Sequence, residues 1–349
     1  MKGFALYRMP YARDYTFVSG PVREYASPAL LNGSEGFVLA PFVATPQAPV
    51  VLVEPEVTGH LLSSDRYPQS LDPVRALLAA VQLPAMLSQK ASSSRADYHI
   101  DFLNFHAQLR EGVFQKLVLS RTQEMPMSSA IGADVLFERA CRLYPRMFIA
   151  LVYTPQSGLW LTATPETLLS GDGSRWQTMA LAGTMAWSEQ AAWSDKNLQE
   201  QRYVATYITR LLEQFTSDFS EEGPYTTRAG HLAHLRSDFR FTLLNNARVG
   251  ELIQALHPTP AVCGLPKTEA LRFILANEHS QRSYYSGFMG PFAVDVQTHL
   301  FVTLRCMQVF QDGYRLYAGG GLLKDSVEEQ EWQETETKMD TMRRVLETE

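Results

Sequence analysis

The chain has 349 residues, of which 45% are hydrophobic, and it carries a formal net charge of -6 at pH 7. This composition is that of a globular protein with a large core, and the acidic balance argues against a protein that binds nucleic acid through its phosphate backbone. The three cysteines, Cys141, Cys263 and Cys306, have no CxxC or His/Cys spacing, so the sequence indicates neither a disulfide framework nor a structural zinc site.

The N-terminal segment MKGFALYRMPYARDY lacks an apolar run of signal-peptide length. No later run approaches the roughly 20 apolar residues that a membrane-spanning helix needs. Together with the low cysteine content, these features predict a soluble, cytoplasmic protein without a membrane partner.

The first 87 residues contain short β-like runs, such as FVLAPFV and VVLVEP, that are broken by prolines. The segment SQKASSSRAD, residues 88–97, has no apolar periodicity and predicts a surface connection. We therefore expect residues 1–97 to form an N-terminal structural part and residues 98–349 to form the functional region of the same fold.

From Tyr98 onward, helical and strand-like segments alternate. YHIDFLNFHAQLREGVF has the apolar spacing of a helix, whereas KLVLSRT, MFIALVYT and GLWLTATP are typical of strands. Several strands follow one another across short turns, without the regular βαβ rhythm of a doubly wound sheet. This pattern predicts an α+β fold in which large antiparallel sheets are covered by helices.

Two basic residues lie in apolar runs that are expected to form buried strands. Lys116 opens KLVLSRT, and Arg305 lies within HLFVTLRCMQVF. A buried guanidinium needs a carboxylate or phosphate partner, and a desolvated lysine loses its proton more easily and can act as a base. The alternative for each residue is a buried structural ion pair.

One glutamate lies on the apolar face of a predicted helix. In SDKNLQEQRYVATYITRLLEQF, Glu200 comes one turn before Val204 on the face that also carries Ile208, Leu211 and Phe215. A carboxylate on such a face is costly unless it is paired or binds a ligand. The alternative is an exposed place in the first turn, where the helix dipole favours a negative charge.

The C-terminal segment predicts an acidic helix. Ser326 and Glu329 have the spacing of a capping box, which predicts a helix that begins at residue 327. One face of this helix carries Val327, Glu331, Glu334, Lys338, Met342 and Val345. Two inward carboxylates one turn apart need a cation. The alternative is a solvated helix on which Lys338 pairs with Glu334.

A glycine triplet precedes this helix. In RLYAGGGLLKDS an apolar strand runs into Gly319, Gly320 and Gly321. Such glycines let a ligand approach the backbone and expose amides to an anion. Beside the acidic helix they indicate an anion site next to a metal site, and the alternative is a tight turn between strand and helix.

These motifs occur in an order that resembles the chorismate-utilising enzymes, which include isochorismate synthase, salicylate synthase and the large subunits of anthranilate and aminodeoxychorismate synthase. The resemblance covers residues 98–349, the catalytic region of that family. It rests on KLVLSR, TPE, LAGT, KNLQE, His234-Leu235, HPTPAVCG, RSYYSGFMG, Leu304-Arg305 and AGGGLLKDSVEEQEWQETETK. It implies a layered α/β/β/α fold with two large antiparallel sheets, and chorismate as the substrate.

The resemblance also implies the residues of the site. One Mg²⁺ would be held by Glu200, Glu331 and Glu334, since carboxylate oxygens are ligands that this ion prefers. Chorismate would be bound by Thr184, Ala261, Tyr285, Arg305, Gly319, Gly321 and Lys338. Lys116, held neutral, would take a proton from the attacking water, and protonated Glu166 would donate one to the hydroxyl that leaves carbon 4.

Two positions bear on which reaction is expected. Ala182 stands where aminodeoxychorismate synthases with a covalent lysine carry that lysine, and Lys116 stands where members that add ammonia typically carry Gln. The resemblance therefore implies attack of water on carbon 2 and formation of isochorismate, for menaquinone or siderophore biosynthesis. No glutaminase subunit is expected, because ammonia is not the nucleophile.

Three alternatives stay open beside this interpretation. Salicylate synthase makes isochorismate and then eliminates pyruvate with the same residues, and an anthranilate synthase would use ammonia. A non-catalytic dicarboxylate-binding paralogue would be expected to lose acidic and basic site residues that this chain keeps. Three positions depart from the usual pattern, namely Gln201 for His, Ser283 for Gly and Thr164 for Ser, and Gln201 leaves the surroundings of Glu200 open.

Overall fold

The computed structural model describes residues 2–61, 71–86, 94–127, 131–188, 192–230, 232–243, 245, 248–293 and 296–347. Its strands are β1 Lys2–Arg8, β2 Tyr15–Tyr25, β3 Gly36–Ala40, β4 Val50–Val53, β5 Val57–Leu61, β6 Lys116–Pro126, β7 Phe148–Thr154, β8 Gly158–Thr164, β9 Thr167–Asp172, β10 Arg175–Ala186, β11 Phe219–Ala229, β12 Leu232–Thr242, β13 Gly264–Leu265, β14 Phe288–Phe292, β15 Gln297–Val302, β16 Cys306–Val309 and β17 Gly313–Leu322. Its helices are α1 Asp72–Ala80, α2 Arg95–Arg110, α3 Ala133–Leu143, α4 Asp195–Leu212, α5 Val249–Leu256, α6 Lys267–Asn277 and α7 Glu328–Leu346.

The strands form two large sheets, and all pairs of neighbouring strands in the described part of the chain are antiparallel. The first sheet has the order β5-β2-β1-β7-β8-β16-β17-β6-β13. The second has the order β11-β12-β10-β9-β15-β14-β3-β4-β2. Strand β2 belongs to both, because its first half pairs with β5 and its last four residues pair with β4. The predicted pair of antiparallel sheets is confirmed.

A layer of aromatic and aliphatic side chains lies between the two sheets. Phe148 of β7 stacks on Phe301 of β15 with ring centroids 4.1 Å apart, so these rings join one sheet to the other. Trp160, fully buried, contacts the rings of both Tyr284 and Tyr317. Aromatic burial of this kind supplies much of the stability of a sandwich core.

Helices cover the outer faces of both sheets. Helices α2, α3 and α7 pack on the first sheet, and α4 packs on β10 and β12 of the second. The apolar face predicted for α4 is buried at Val204, Ile208 and Leu211. The fold is therefore α+β, with the layered α/β/β/α arrangement that the resemblance implied.

Strands β1 to β5 of the N-terminal part belong to these same two sheets. The boundary at residue 97 stays a prediction. Most of the predicted surface connection, residues 88–93, lies outside the described residues, and the prediction is wrong for residues 95–97, which form the first turn of α2 because Ser94 and Asp97 cap this helix. No helix in the described part of the chain has the length and apolar character needed to cross a membrane.

Three details of the sequence predictions are wrong. Helix α7 begins at Glu328 without a side-chain cap, because the hydroxyl of Ser326 accepts a hydrogen bond from the amide of Leu323 instead. Val327 is 51% exposed and lies outside the buried stripe. The run around Arg305 forms two strands, since β15 ends before this residue and Arg305 itself has a φ of 45°, a left-handed conformation that ends a regular strand.

Candidate active site

One cavity gathers most of the predicted site residues. It is lined by Glu166, Thr184, Glu200, Ala261, Tyr285, Arg305, Gly319, Gly321, Glu334 and Lys338. Of the remaining predicted residues, Lys116 lies fully buried beside Glu200, and Glu331 lines an adjoining opening together with Glu334 and Thr184. The residues that the sequence analysis assigned to one site therefore lie close together in the structure.

Glu166 is held at the end of β8 by backbone contacts. Its amide donates to the hydroxyl of Thr164 at 3.3 Å, and its carbonyl accepts from the amide of Val302. The replacement of Ser by Thr at position 164 therefore keeps a hydroxyl that fixes Glu166. Burial raises the pKa of Glu166 to about 8, although Lys116, Lys338 and Arg305 act in the opposite direction. The carboxyl group is thus protonated at neutral pH.

Arg305 and His234 form a buried pair in the same cavity. Nη2 of Arg305 donates to Nε2 of His234 at 3.1 Å, and Nδ1 of His234 donates to the carbonyl of Gly183 at 2.8 Å. These contacts require a neutral imidazole, and burial together with Arg305 lowers the pKa of His234 to about 3. Burial also lowers the pKa of Arg305 to about 10. Within the described residues, Nη1 of Arg305 has no hydrogen-bond partner, so it is free to bind an anion.

His234 belongs to the sequence motif, but the sequence alone does not indicate its role. A lone histidine in an apolar run gives no indication of its partners, and the hydrogen bond from Arg305 depends on the return of β12 beside the segment after β15. Its fixed tautomer holds the guanidinium that faces the cavity. His234 is therefore an additional site residue.

The glycine triplet lies inside β17 rather than in a turn, because Gly319, Gly320 and Gly321 pair with β6. A Cβ at Gly321 would collide with the carboxylate of Glu200 and lie 2.9 Å from Cε of Lys116. A Cβ at Gly320 would lie 3.3 Å from Oε2 of Glu331 and 3.9 Å from Oε1 of Glu334. These glycines are needed because three carboxylates crowd against one short piece of strand.

Each of these three carboxylates is paired with a lysine. Nζ of Lys116 lies 3.0 Å from Oε1 of Glu200, and Nζ of Lys338 lies 2.6 Å from Oε1 of Glu334. Lys196, in the first turn of α4, pairs with Oε1 of Glu331. The sequence predicted none of the pairs except Lys338 with Glu334. That pair is partly buried at the cavity, whereas the alternative interpretation placed it on a solvated face.

The pKa values of two of these paired carboxyl groups shift in opposite directions. Burial opposes ionisation of Glu200, but Lys116 and Lys196 outweigh it and lower the pKa of this carboxyl group. Burial and the neighbouring Glu334 raise the pKa of Glu331 despite its pairing with Lys196. Oε2 of Glu331 has no hydrogen-bond partner among the described groups. This buried, unpartnered oxygen is suited to a cation.

The three carboxylates fit a divalent cation in the chemistry of their donors, since carboxylate oxygens are what Mg²⁺ takes from proteins. In the described part of the chain, no three acidic, histidine or cysteine side chains already stand close enough together to hold one ion. Each of the three carboxylates is instead held by its own lysine. Metal binding by Glu200, Glu331 and Glu334 stays a prediction.

Helix α7 is held in register by cation–π contacts. The guanidinium of Arg121 on β6 lies 3.8 Å from the centre of the Trp332 ring and donates to the hydroxyl of Thr335 at 2.6 Å. Arg95 of α2 lies on the same ring at 4.7 Å. These contacts fix the face of α7 that carries Glu331 and Glu334 toward the cavity.

Residues that depart from the family pattern have local explanations. The side-chain amide of Gln201 donates to the carbonyl of Ala180 at 3.1 Å and to the hydroxyl of Ser237 at 3.3 Å, so it ties α4 to the second sheet. Ser283 has a φ of 50°, a conformation that glycine adopts more easily. Neither residue places a charge in the cavity.

A buried ion pair ties the walls of the cavity together. Arg282 forms two hydrogen bonds with Glu278, of 2.6 and 2.7 Å, and donates to the carbonyls of Val262 and Val118. Glu278 also accepts from the amide of Ser120 at 2.7 Å. The pair therefore connects α6, β6 and the loop that carries Ala261.

We predict that Arg282→Met lowers the free energy of unfolding by roughly 3–5 kcal/mol, because it leaves the carboxylate of Glu278 buried without its cation. Urea denaturation followed by circular dichroism would measure the change. The double variant Arg282→Met/Glu278→Met serves as the control and should lose less than the sum of the two single variants. A loss below 1 kcal/mol for Arg282→Met would contradict the prediction.

The chain is similar to known proteins in both sequence and fold. The family described as chorismate binding enzyme matches residues 69–347. The chain belongs to this family. It is 30% identical to the isochorismate synthase MenF of Escherichia coli over 251 residues, which cover 69% of this chain and 58% of that protein. It is 31% identical to the isochorismate synthase DhbC of Bacillus subtilis over 259 residues, which cover 69% and 65% of the two chains.

Solved structures show the same fold. The menaquinone-specific isochorismate synthase MenF of Escherichia coli superposes with a TM-score of 0.78 at 22% identity, over 99% of this chain and 89% of that one. A putative 2,3-dihydroxybenzoate-specific isochorismate synthase, DhbC of Bacillus anthracis, gives a TM-score of 0.80 at 23% identity, over 98% and 96%. In the sequence comparisons, the chain described here spans less than two thirds of the length of MenF of Escherichia coli and of DhbC of Bacillus subtilis.

Proposed function

We propose that this protein is an isochorismate synthase, which converts chorismate to isochorismate with the help of Mg²⁺. The observation that carries the proposal is the placement of Glu166, a buried carboxyl group that lines one cavity together with Arg305 and Lys338. Burial raises its pKa to about 8, which favours the protonated form at neutral pH. An acid of this kind is what departure of a hydroxyl group requires. The curated relatives of about 30% identity carry the name of this activity.

The proposed reaction replaces the hydroxyl group on carbon 4 of the ring by a new hydroxyl group on carbon 2. Water attacks carbon 2 as the ring double bonds shift and the hydroxyl on carbon 4 departs as water, so the product is an isomer of the substrate. Lys116, which pairs with Glu200 in the structure, first releases a proton to solvent and then, as the free amine, accepts the proton of the attacking water. Glu166 donates its proton to the departing hydroxyl. General acid and general base catalysis each supply on the order of 10²- to 10⁴-fold.

Substrate binding in this proposal uses the cations of the cavity. Nη1 of Arg305 is buried and has no acceptor within the described residues, which is costly until an anion binds. A carboxylate of chorismate would satisfy it and form the charge-assisted contacts that guanidinium favours. Lys338 donates to the carbonyl of Gly319 at 2.7 Å and lines the same cavity, so a second carboxylate could be bound beside Gly319 and Gly321.

Glu200, Glu331 and Glu334 would hold Mg²⁺, whose charge would neutralise and orient a substrate carboxylate. Thr184 and Ala261 would line the ring. We place the reaction in the cytoplasm and its product in menaquinone or siderophore biosynthesis. No glutaminase subunit is needed, because water is the nucleophile.

Product analysis tests this proposal directly. Purified protein would be incubated with chorismate, with Mg²⁺ or with excess EDTA, and the products separated by chromatography. We expect isochorismate in the presence of Mg²⁺ and none with EDTA. Fluorescent salicylate would indicate a salicylate synthase, and anthranilate formed only with ammonium would indicate an anthranilate synthase. Absence of all three products with Mg²⁺ would contradict a chorismate-converting activity.

A further inference from the structure

The position of Lys196 is unusual for a lysine. It is the second residue of α4, and the partial positive charge of a helix N-terminus disfavours a cation there. Its ammonium pairs with Glu331 and feels the negative charges of Glu200 and Glu334. The carboxylates, rather than the helix, therefore explain where this side chain lies.

Glu331 depends on this cation. Its side chain is only 1% exposed, and Lys196 is its ion-pair partner among the described residues. A buried carboxylate without a cation is strongly destabilising. Oε1 of Glu331 faces the ammonium of Lys196, and Oε2 has no hydrogen-bond partner among the described groups. A metal ion at Oε2 would lie close to that ammonium, and the two positive charges would repel each other. The two cations must compete for Glu331.

Lys196 is also the most accessible of the three lysines that hold the carboxylates. Its side chain is 27% exposed, compared with 15% for Lys338 and 0% for Lys116. It lines the opening that also contains Glu331 and Glu334. Its long, flexible stem can move toward solvent through that opening at little cost, whereas Lys116 has no such path.

We propose that Lys196 is a built-in counter-cation, which holds the carboxylate of Glu331 beside Glu200 and Glu334 in the metal-free protein and is displaced when a divalent ion binds. The proposal rests on the proposed metal site. It makes Lys196 a residue that sets metal affinity, since its positive charge beside Glu331 opposes that of an incoming ion. Together with Lys116 and Lys338, Lys196 explains how three carboxylates persist around Gly320 and Gly321 without a metal.

The test measures metal affinity without any reaction. Mn²⁺ would be titrated into the full-length protein in the absence of chorismate, and free Mn²⁺ followed by electron paramagnetic resonance. We expect Lys196→Met to bind Mn²⁺ roughly tenfold more tightly than the parent protein, because one unit of positive charge no longer competes for the site. Arg202→Met is the matched control, since Arg202 is exposed on the same helix, and its affinity should stay within roughly twofold of the parent.

Thermal unfolding gives a second measurement on the same variants. Without metal, Lys196→Met should unfold at a lower temperature than the parent, because Glu331 loses its cation. Saturating Mn²⁺ should raise the unfolding temperature of Lys196→Met more than that of the parent, as tighter binding to the native state requires. Lys196→Gln provides a second variant if the methionine variant folds only with metal present, which would itself support the proposal.

Mn²⁺ affinity that is unchanged or weaker in both Lys196→Met and Lys196→Gln would overturn the proposal. The proposed function fails by a different observation, namely absence of isochorismate from the parent protein with Mg²⁺. Tighter Mn²⁺ binding by the variants would support the role of Lys196 even in that case.

Discussion

Replacing Glu166 by glutamine should make the protein more stable and at the same time inactive. In the native state this carboxyl group is fully buried and has a pKa of about 8, whereas in the unfolded chain a glutamate titrates near pH 4.3. Burial therefore makes ionisation of Glu166 unfavourable in the native state. In the unfolded chain the same group is ionised at neutral pH, so folding requires it to take up a proton. Glutamine has nearly the same shape as protonated glutamate and does not ionise, so folding of the variant requires no proton uptake at this position.

The sign of the pH dependence follows from this raised pKa. Below about pH 4 the group is protonated in both states and contributes no penalty. As the pH rises to about 8, the unfolded state releases a proton that the native state keeps, so the parent protein becomes less stable. At pH 8 the stability advantage of Glu166→Gln should reach on the order of 2–4 kcal/mol and should nearly vanish at pH 4.5.

Urea denaturation of the parent and of Glu166→Gln at pH 4.5, 6 and 8 would measure this difference. Glu213→Gln, at an exposed position on the surface, is the control and should show no comparable change with pH. The turnover of Glu166→Gln should fall by roughly 10²- to 10⁴-fold, because glutamine cannot donate the proton. An equally stable variant at pH 8, or one that turns over at the parent rate, would refute the assignment of Glu166 as a buried acid.

The acidic helix shows what could be predicted from sequence. The apolar stripe of α7 correctly placed Glu331, Met342 and Val345 inward, because side chains three or four residues apart share a helix face whatever packs against it. The same reasoning failed at Val327, which is exposed. That residue lies before the helix, and a helical period has no meaning there.

The partners of the buried charges could not be predicted in the same way. Burial of Lys116 follows from the apolar residues around it in β6, but its pairing with Glu200 arises because α4 of the opposite layer reaches the end of that strand. Nothing in the sequence indicated that Lys196 would pair with a buried carboxylate, since a lysine in the first turn of a helix is normally solvated. Arg305 was predicted inside a strand, because a left-handed φ at an arginine has no signature in the surrounding residues.

Replacing Lys116 by glutamine should remove the attack of water. Lys116 is fully buried and lies 3.0 Å from Glu200, and in the described part of the chain its Nζ makes no hydrogen bond of good geometry. Glutamine has no basic nitrogen, so isochorismate formation from chorismate should fall by roughly 10²- to 10⁴-fold. Glutamine also leaves the carboxylate of Glu200 without its cation, so the variant should lose roughly 3–5 kcal/mol of stability.

A second substitution separates the two effects of Lys116. Lys116→Arg keeps a positive charge for Glu200 but cannot provide a free amine, because a guanidinium does not lose its proton in proteins. It should be more stable than Lys116→Gln and equally unable to form isochorismate. Rates of isochorismate formation and urea denaturation of all three proteins would be compared at pH 7.5. If Lys116→Arg retained the parent rate, Lys116 would serve only as the partner of Glu200, and the base would have to be sought elsewhere around the cavity.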